Sequence, residues 1–312
     1  MYAIGIDMSK DTFHACFEGE IVQKFNNTDR GIEQFMSHLE EHGFTQEKTL
    51  IGVEATGVYH LLFTVTLSDN DWDVKVINPL ESHKFITAGI RIVKTDRLDA
   101  IKIAEMAALG RGYLFCETKE SIALKALVVE RCALVEMRKQ TKQRLQAHDL
   151  KMNAIGIPMT DYLSPTITTL TTTIKSIGRE MKGYEKDTQE LLKSIPGIGD
   201  VAAASLVAFV GNIYRFDSPQ KLVAYIGLDP RVYESGTSVK GKGYISKRGN
   251  KYLRHVLFNA AFTALRCNPL FKSYYDKKIS EGKHHTSIIC ALERKLVHVV
   301  YAVWSRQTPF KK

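Results

Sequence analysis

The chain has 312 residues, 44% of them hydrophobic and 25% charged, which is an ordinary globular composition with length for about two full cores. No apolar run approaches the ~20 residues of a membrane span, and the N-terminus enters a strand without a basic and apolar leader, so export and membrane insertion are not expected. Cys16, Cys116, Cys132, Cys267 and Cys290 are scattered without a CxxC pair, as are the ten histidines, which points away from a disulfide framework or a zinc site and toward reduced thiols.

The formal charge of +9 is unevenly spread. Residues 1–110 hold 10 Lys and Arg against 17 Asp and Glu, residues 111–230 hold 16 against 13, and residues 231–312 hold 17 against 4. One end suits acidic chemistry and the other an electrostatic grip on a polyanion, for which nucleic acid is the expected partner.

In chain order, residues 2–8, 12–18 and 20–26 read as three short strands, with turns at Ser9-Lys10-Asp11 and Glu18-Gly19-Glu20. A helix near Arg30–His42, a strand at Thr49–Glu54, a helix near Val58–Ser68, a strand at Val74–Ile77, a helix near Pro79–Thr87 and another from about Thr95 follow. Three antiparallel strands and then α-β-α-β-α is the order of a ribonuclease H-like α/β fold.

Four carboxylates fall at the ends of these elements. Asp7 closes the first strand, Glu54 closes the fourth, and Asp96 and Asp99 open a helix at i and i+3, on one face. Neighbouring strands would bring all four together. Two carboxylates 4 Å apart repel by about 4 kcal/mol at an effective dielectric of about 20, so such a group needs protons or cations. All-oxygen ligation suits Mg²⁺ or Mn²⁺, and paired ions of that kind drive phosphoryl transfer on nucleic acids. The plainer alternative is that strands in α/β proteins often end in acids and that acids in a first helical turn complement the helix dipole.

From Lys119 to Asp149 the composition is continuously helical, with Leu127 and Leu134 seven residues apart and Leu145 roughly extending the stripe. Asn153 to Pro158 breaks it, and a Thr-rich arm, started or kinked at Ser164-Pro165, runs to Leu192. An antiparallel helical pair is expected, for dimerisation or for spanning nucleic acid, with too few heptads for a strict coiled coil. Ile195-Pro196-Gly197-Ile198-Gly199 before an apolar helix has the shape of a helix-hairpin-helix element, in which Gly197 and Gly199 let amides approach a phosphate; a plain tight turn is the alternative.

Residues 229–251 gather four glycines and six cations. Ser235 beside Gly236 is a small hydroxyl that needs a base or a metal for activation. No histidine lies near it in sequence, so a self-contained triad is not expected. Read alone, the segment is a flexible basic loop.

The whole chain resembles the DEDD transposases of insertion sequences that use a bridge RNA, which are related to pilin-gene invertases and carry a RuvC-like catalytic domain. The resemblance rests on Ile4-Gly5-Ile6-Asp7, Glu54-Ala55-Thr56-Gly57, Lys94-Thr95-Asp96 with Asp99-Ala100, Ile195 to Gly199, and Tyr233-Glu234-Ser235-Gly236 with Ser238-Val239. It implies Mg²⁺ (or Mn²⁺) at Asp7, Glu54, Asp96 and Asp99, and Ser235 as a nucleophile forming a covalent phosphoserine. Thr237 and Ser238 are neighbouring hydroxyls. It further implies a composite site between subunits, hence dimers and tetramers, and a non-coding RNA pairing with donor and target DNA in the bacterial cytoplasm, on the nucleoid.

The expected division is a RuvC-like catalytic domain at 1–112, a helical linker at 113–193, and a transposase domain at 194–312. Lys240, Lys242, Lys247, Arg248, Lys251 and Arg254 are the expected contacts to nucleic-acid backbone. Two rivals remain: a hydrolytic nuclease or junction resolvase using water at the same carboxylates, and a non-catalytic nucleic-acid-binding protein.

Overall fold

The computed structural model describes residues 2–17, 21–86, 95–156, 161–231, 234–235, 239–240 and 244–311, with only the backbone described at Ile21, Ile86, Arg231, Glu234, Ser235, Val239 and Lys240. The chain forms two compact units, 1–119 and 120–312.

The first unit is a mixed sheet flanked by helices. Strands β1 (Tyr2–Met8), β2 (Thr12–Phe17) and β3 (Ile21–Asn26) are antiparallel to their neighbours, while β4 (Thr49–Glu54) and β5 (Val74–Ile77) extend the sheet parallel to β1. Helices α1 (Asp29–Glu41), α2 (His60–Asp69), α3 (Pro79–Ile86) and α4 (Asp96–Ala108) lie between or after these strands. A two-residue strand, β6 (Tyr113–Leu114), pairs antiparallel with β5, giving the order β3-β2-β1-β4-β5-β6. This sixth strand was not expected from sequence, because two exposed residues carry no alternation to read.

Strand side chains alternate between faces. One face presents Ile4, Ile6, Met8, Phe13, Ala15, Phe17, Ile51 and Val53, all buried. Phe35 of α1 and Phe63 of α2 cover it, with ring centroids 5.7 and 5.0 Å from Phe13. The other face presents Gly5, Asp7, His14, Cys16, Gly52 and Glu54, as the registers Gly5↔Cys16, Asp7↔His14 and Gly5↔Gly52 dictate.

Gly5 and Gly52 are what let α4 settle on that second face. A Cβ on Gly5 would stand 2.0 Å from the Ala100 carbonyl oxygen and 2.2 Å from the Ala104 nitrogen, and one on Gly52 would stand 2.8 Å from the Ala107 Cβ. Backbone-to-backbone packing of this kind fixes where the first turn of α4 must lie.

The second unit is mainly helical. Helix α5 (Lys119–Ile155) is followed by α6 (Ser164–Glu180), α7 (Lys186–Lys193), α8 (Asp200–Val210) and α9 (Pro219–Ile226). Two-residue strands β7 (Pro230–Arg231), β8 (Glu234–Ser235), β9 (Val239–Lys240) and β10 (Tyr244–Ile245) precede α10 (Lys251–Cys267), α11 (Pro269–Ser280) and α12 (His285–Arg306). The Thr-rich arm ends at Glu180 rather than at Leu192; a 3-10 turn and Glu185 in the left-handed region (φ 44°) break it before α7. Pro165 sits in the first turn of α6, where a missing N–H costs nothing. Helix α8 is buried nearly all round, as its apolar sequence requires, and packs with α10 and α12 in one core that also takes Leu124 and Val128 of α5.

Candidate active site

Asp7, His14 and Asp96 meet on the α4 side of the sheet. Each offers one ligand atom, and the three atoms lie within 4.8 Å of one another, with His14 Nδ1 3.8 Å from Asp96 Oδ2. Their positions follow from local rules. The hairpin register places His14 directly opposite Asp7. Thr95, extended and N-capping α4, accepts from the Leu98 amide at 3.2 Å, so the helix starts at Asp96 and carries Asp96 and Asp99 in its first turn. Asp96 is exposed and Asp99 is 7% exposed, beside the Ala100 that packs on Gly5.

Glu54 follows Val53, which pairs with Ile6, so it stands on the strand next to Asp7. Ser82, fully buried on α3, donates to its Oε2 at 2.7 Å, and Thr56 donates to its Oε1 at 3.2 Å. Two hydroxyl donors fix the carboxylate's orientation.

The structure thus puts Asp7 and Asp96 in one group, Asp99 on the same helical turn, and Glu54 on the adjoining strand. His14 joins this group, although in the sequence it is one of ten scattered histidines. Its signal was present: the turn at Ser9-Lys10-Asp11 sets residues 7 and 14 opposite each other. Ser82 carried no such signal, because its partner lies 28 residues away. Oxygen and imidazole donors converging within 4.8 Å suit a divalent cation, and the imidazole makes the donor set less purely that of a magnesium site.

The second unit carries the remaining expected residues. Gly197 has φ 92°, and a Cβ there would come 2.3 Å from the Ala260 carbonyl oxygen, so this glycine is needed for packing against α10. Gly199 N-caps α8 with open space around it, but Asp200 follows it and takes bonds from Lys182 at 2.6 Å and Lys193 at 3.0 Å, which hold its carboxyl below the usual range. Ser235 lies on β8, its backbone paired with Val239, and Lys240 lies opposite Glu234 on β9. Thr237, Ser238 and Lys242 fall outside the described residues.

Lys247 is in the left-handed region at φ 55°, and its amide donates to the Gly227 carbonyl. Arg248 and Lys251 are exposed, with Lys251 Nζ 5.0 Å from the Tyr252 ring centroid. Arg254 differs. It is half-buried and donates to the carbonyls of Ile226 at 2.9 Å and Gly249 at 2.7 Å, tying the loop to the end of α9.

An acidic group on a mixed sheet and a basic helical unit in the same chain suit an enzyme that acts on DNA. A DEDD transposase family model, described as a transposase, matches residues 4–151, and a model described as the transposase IS116/IS110/IS902 family matches residues 189–276. The chain belongs to that family of transposases.

It is 29% identical to the pilin gene-inverting protein of Moraxella bovis, over 99% of this chain and 97% of that protein. It is 26% identical to the transposase of insertion element IS1328 of Yersinia enterocolitica over 99% and 98%, and 26% identical to that of IS1111A of Coxiella burnetii over 99% and 91%. Among the described residues no helix is long and apolar enough to cross a membrane.

Proposed function

We propose that this transposase is guided by a bridge RNA, and that it cuts and rejoins DNA through a phosphoserine on Ser235 with Mg²⁺ or Mn²⁺ at Asp7, Glu54, Asp96 and Asp99, on a ribonuclease H-like, RuvC-like domain. The observation that carries the reading is the meeting of Asp7, His14 and Asp96 under the first turn of α4. The RNA, the serine and the three-part division at 112 and 193 rest on the sequence resemblance.

When bound, a divalent cation supplies Lewis-acid stabilisation of charge on the phosphate and makes a hydroxyl easier to deprotonate. The chain's own residues do the rest. Asp7 and Asp96 offer oxygen donors, His14 offers a nitrogen, and Ser82 and Thr56 keep Glu54 aimed. Ser235 Oγ forms a bond to phosphorus as the bond from phosphorus to a sugar oxygen breaks, and the hydroxyl proton passes to that departing oxygen. The Oγ–P ester conserves the phosphodiester linkage, so a sugar hydroxyl of a second strand restores DNA and frees the serine. Lys240, Lys242, Lys247, Arg248 and Lys251 hold the backbone, with Arg254 as a positioning residue for their loop. Serine and carboxylates from different copies would share one site, hence dimers and tetramers acting in the bacterial cytoplasm, on the nucleoid.

The test compares wild type and Ser235→Ala, each expressed with the gene's flanking non-coding DNA. A cation-dependent, SDS-stable and protease-sensitive protein–DNA adduct is expected with wild type alone. Cleavage without an adduct in both proteins would leave a hydrolytic nuclease. For the metal set, Mn²⁺ electron paramagnetic resonance should show nitrogen coupling that His14→Ala removes, with Mn²⁺ binding itself weakened in Asp7→Asn.

A further inference from the structure

A groove of about 730 Å³ runs across the second unit, walled by α5 and α10 and floored at the Gly197–Ala202 turn. Its α5 wall is a single stripe. Arg131, Val135 and Arg138 fall at i, i+4 and i+7, and a second concavity continues along the same helix past Lys142 at i+11. The α10 wall repeats the pattern with Lys251, His255, Asn259 and Thr263, each four residues from the last and all exposed.

Arg131 is the unexplained member. It is half-buried and lies against Gly178 of α6, and its Nε is buried with no hydrogen-bond partner. No acidic side chain is paired with it among the described residues. Burial holds its guanidinium below the usual arginine range, and the neighbouring charge of Arg138 adds to that. Arg138 itself has one long bond, 3.4 Å to Thr171 Oγ1. An unsatisfied buried donor and a half-buried cation without a paired acid both cost stability, and the part of Arg131 that lines the groove is where an anion offsets the charge.

The two acids in the lining do not fill that need. Asp200 is engaged by Lys182 and Lys193, and Glu136 stands 3.7 Å from Lys139.

The geometry points to this groove as a binding channel for a single strand of DNA, with Arg131 and Arg138 on consecutive phosphates and the apolar floor of Val201, Ala202 and Val256 under the sugars and bases. DNA is the polyanion on which this enzyme class acts, and strand exchange exposes it in single-stranded form. A pocket of this volume takes in a ligand-sized segment. One strand can lay a nucleotide or two into it, whereas a duplex reaches only the rim. A positive groove that tracks the backbone is the usual device for single strands. The inference depends on the family's action on DNA and not on the carboxylate site, so its test is run without divalent cations.

The experiment is fluorescence anisotropy on the full-length protein in EDTA, with a labelled 20-nucleotide DNA strand of mixed sequence, the same sequence as duplex, and the same sequence as RNA. Arg131→Met and Arg138→Met are each expected to weaken single-strand binding about tenfold at moderate salt and to lower the salt slope by about 0.7, the value for one phosphate contact on a single strand. Lys221→Met removes the same charge from α9 and is expected to stay within about twofold of wild type. Arg131→Met is expected to melt no lower than wild type in the absence of DNA, because it deletes an unsatisfied cation. Unchanged affinity and slope in both arginine variants would overturn the proposal. A loss confined to RNA or to duplex would overturn the assigned occupant, and a loss equal in Lys221→Met would reduce the effect to net charge.

Discussion

The two units use backbone proximity for different ends. In the first, Gly5 and Gly52 sit side by side on β1 and β4, and α4 rests on them closely enough that a methyl group on Gly5 would meet its backbone and one on Gly52 the Ala107 side chain. That contact sets the first turn of α4, with Asp96 and Asp99, on the sheet face that carries Asp7 and Glu54, and Asp96 meets Asp7 and His14 there. In the second, Gly197 lies just as close to α10 and Gly249 to α9, yet Lys247, Arg248 and Lys251, which we propose hold nucleic acid, are exposed. Chemistry on a phosphate demands donors fixed to a fraction of an ångström, which a sheet with a helix locked onto it provides. Holding a polyanion demands spread charge, which a helical surface provides.

The sharpest way to break this contrast is Gly5→Val. The added side chain meets the backbone of α4 at 2.0 Å, which no flexible side-chain end can relieve. A loss of about 3 kcal/mol or more is expected, at or beyond the upper end of ordinary overpacking, together with loss of DNA cleavage. Thermal unfolding by circular dichroism measures the first. A variant with wild-type stability would mean that α4 does not rest on Gly5.

A pH effect separates the second unit from the first. Glu293 on α12 is 2% exposed, and burial pushes its carboxyl up to about 7, against an ordinary value near 4.5, with Arg254 and Arg294 opposing the rise. A carboxyl raised in the folded state costs nothing below about pH 4.5, where both states hold the proton. The cost then grows until pH passes about 7, reaching about 3 kcal/mol by the shift alone. Glu293→Gln should therefore gain little stability at pH 4 and progressively more up to about pH 7. A melting-temperature difference from wild type that stays constant across this window would contradict it.

The smallest expected effect sharpens the first unit. Ser82→Ala leaves Glu54 Oε2 without its 2.7 Å donor, at a cost of about 1–2 kcal/mol. A drop in cleavage larger than the stability loss explains would show that Ser82 also positions Glu54. Cleavage per folded molecule equal to wild type would confine Ser82 to packing.

Much of the first unit was legible because its signals are local. Alternation and turn residues marked β1 to β5 within a residue or two, and Thr95 with two acids marked the start of α4. Asp7, Glu54, Asp96 and Asp99 stand at element ends that could be read one at a time. His14 needed register arithmetic across a hairpin, and Ser82 needed a contact between α3 and β4 that no local pattern encodes. In the second unit the cations of residues 240–254 were visible as composition, but composition does not say which way a side chain points: Arg254 turned inward to carbonyls. The stripe of Arg131 and Arg138 had helical spacing all along, and nothing in sequence set it opposite α10.

Strand alternation, the capped start of α4, the split of acid and base between the two ends and the family are all legible along the chain. These are properties of residues a few positions apart or of counts. That glycines on adjacent strands admit α4, that an imidazole joins the carboxylates, and that a half-buried arginine lines a groove with no acid paired to it among the described residues came from the fold. Each of those is a distance between segments far apart in the chain, fixed by packing rather than by any local preference.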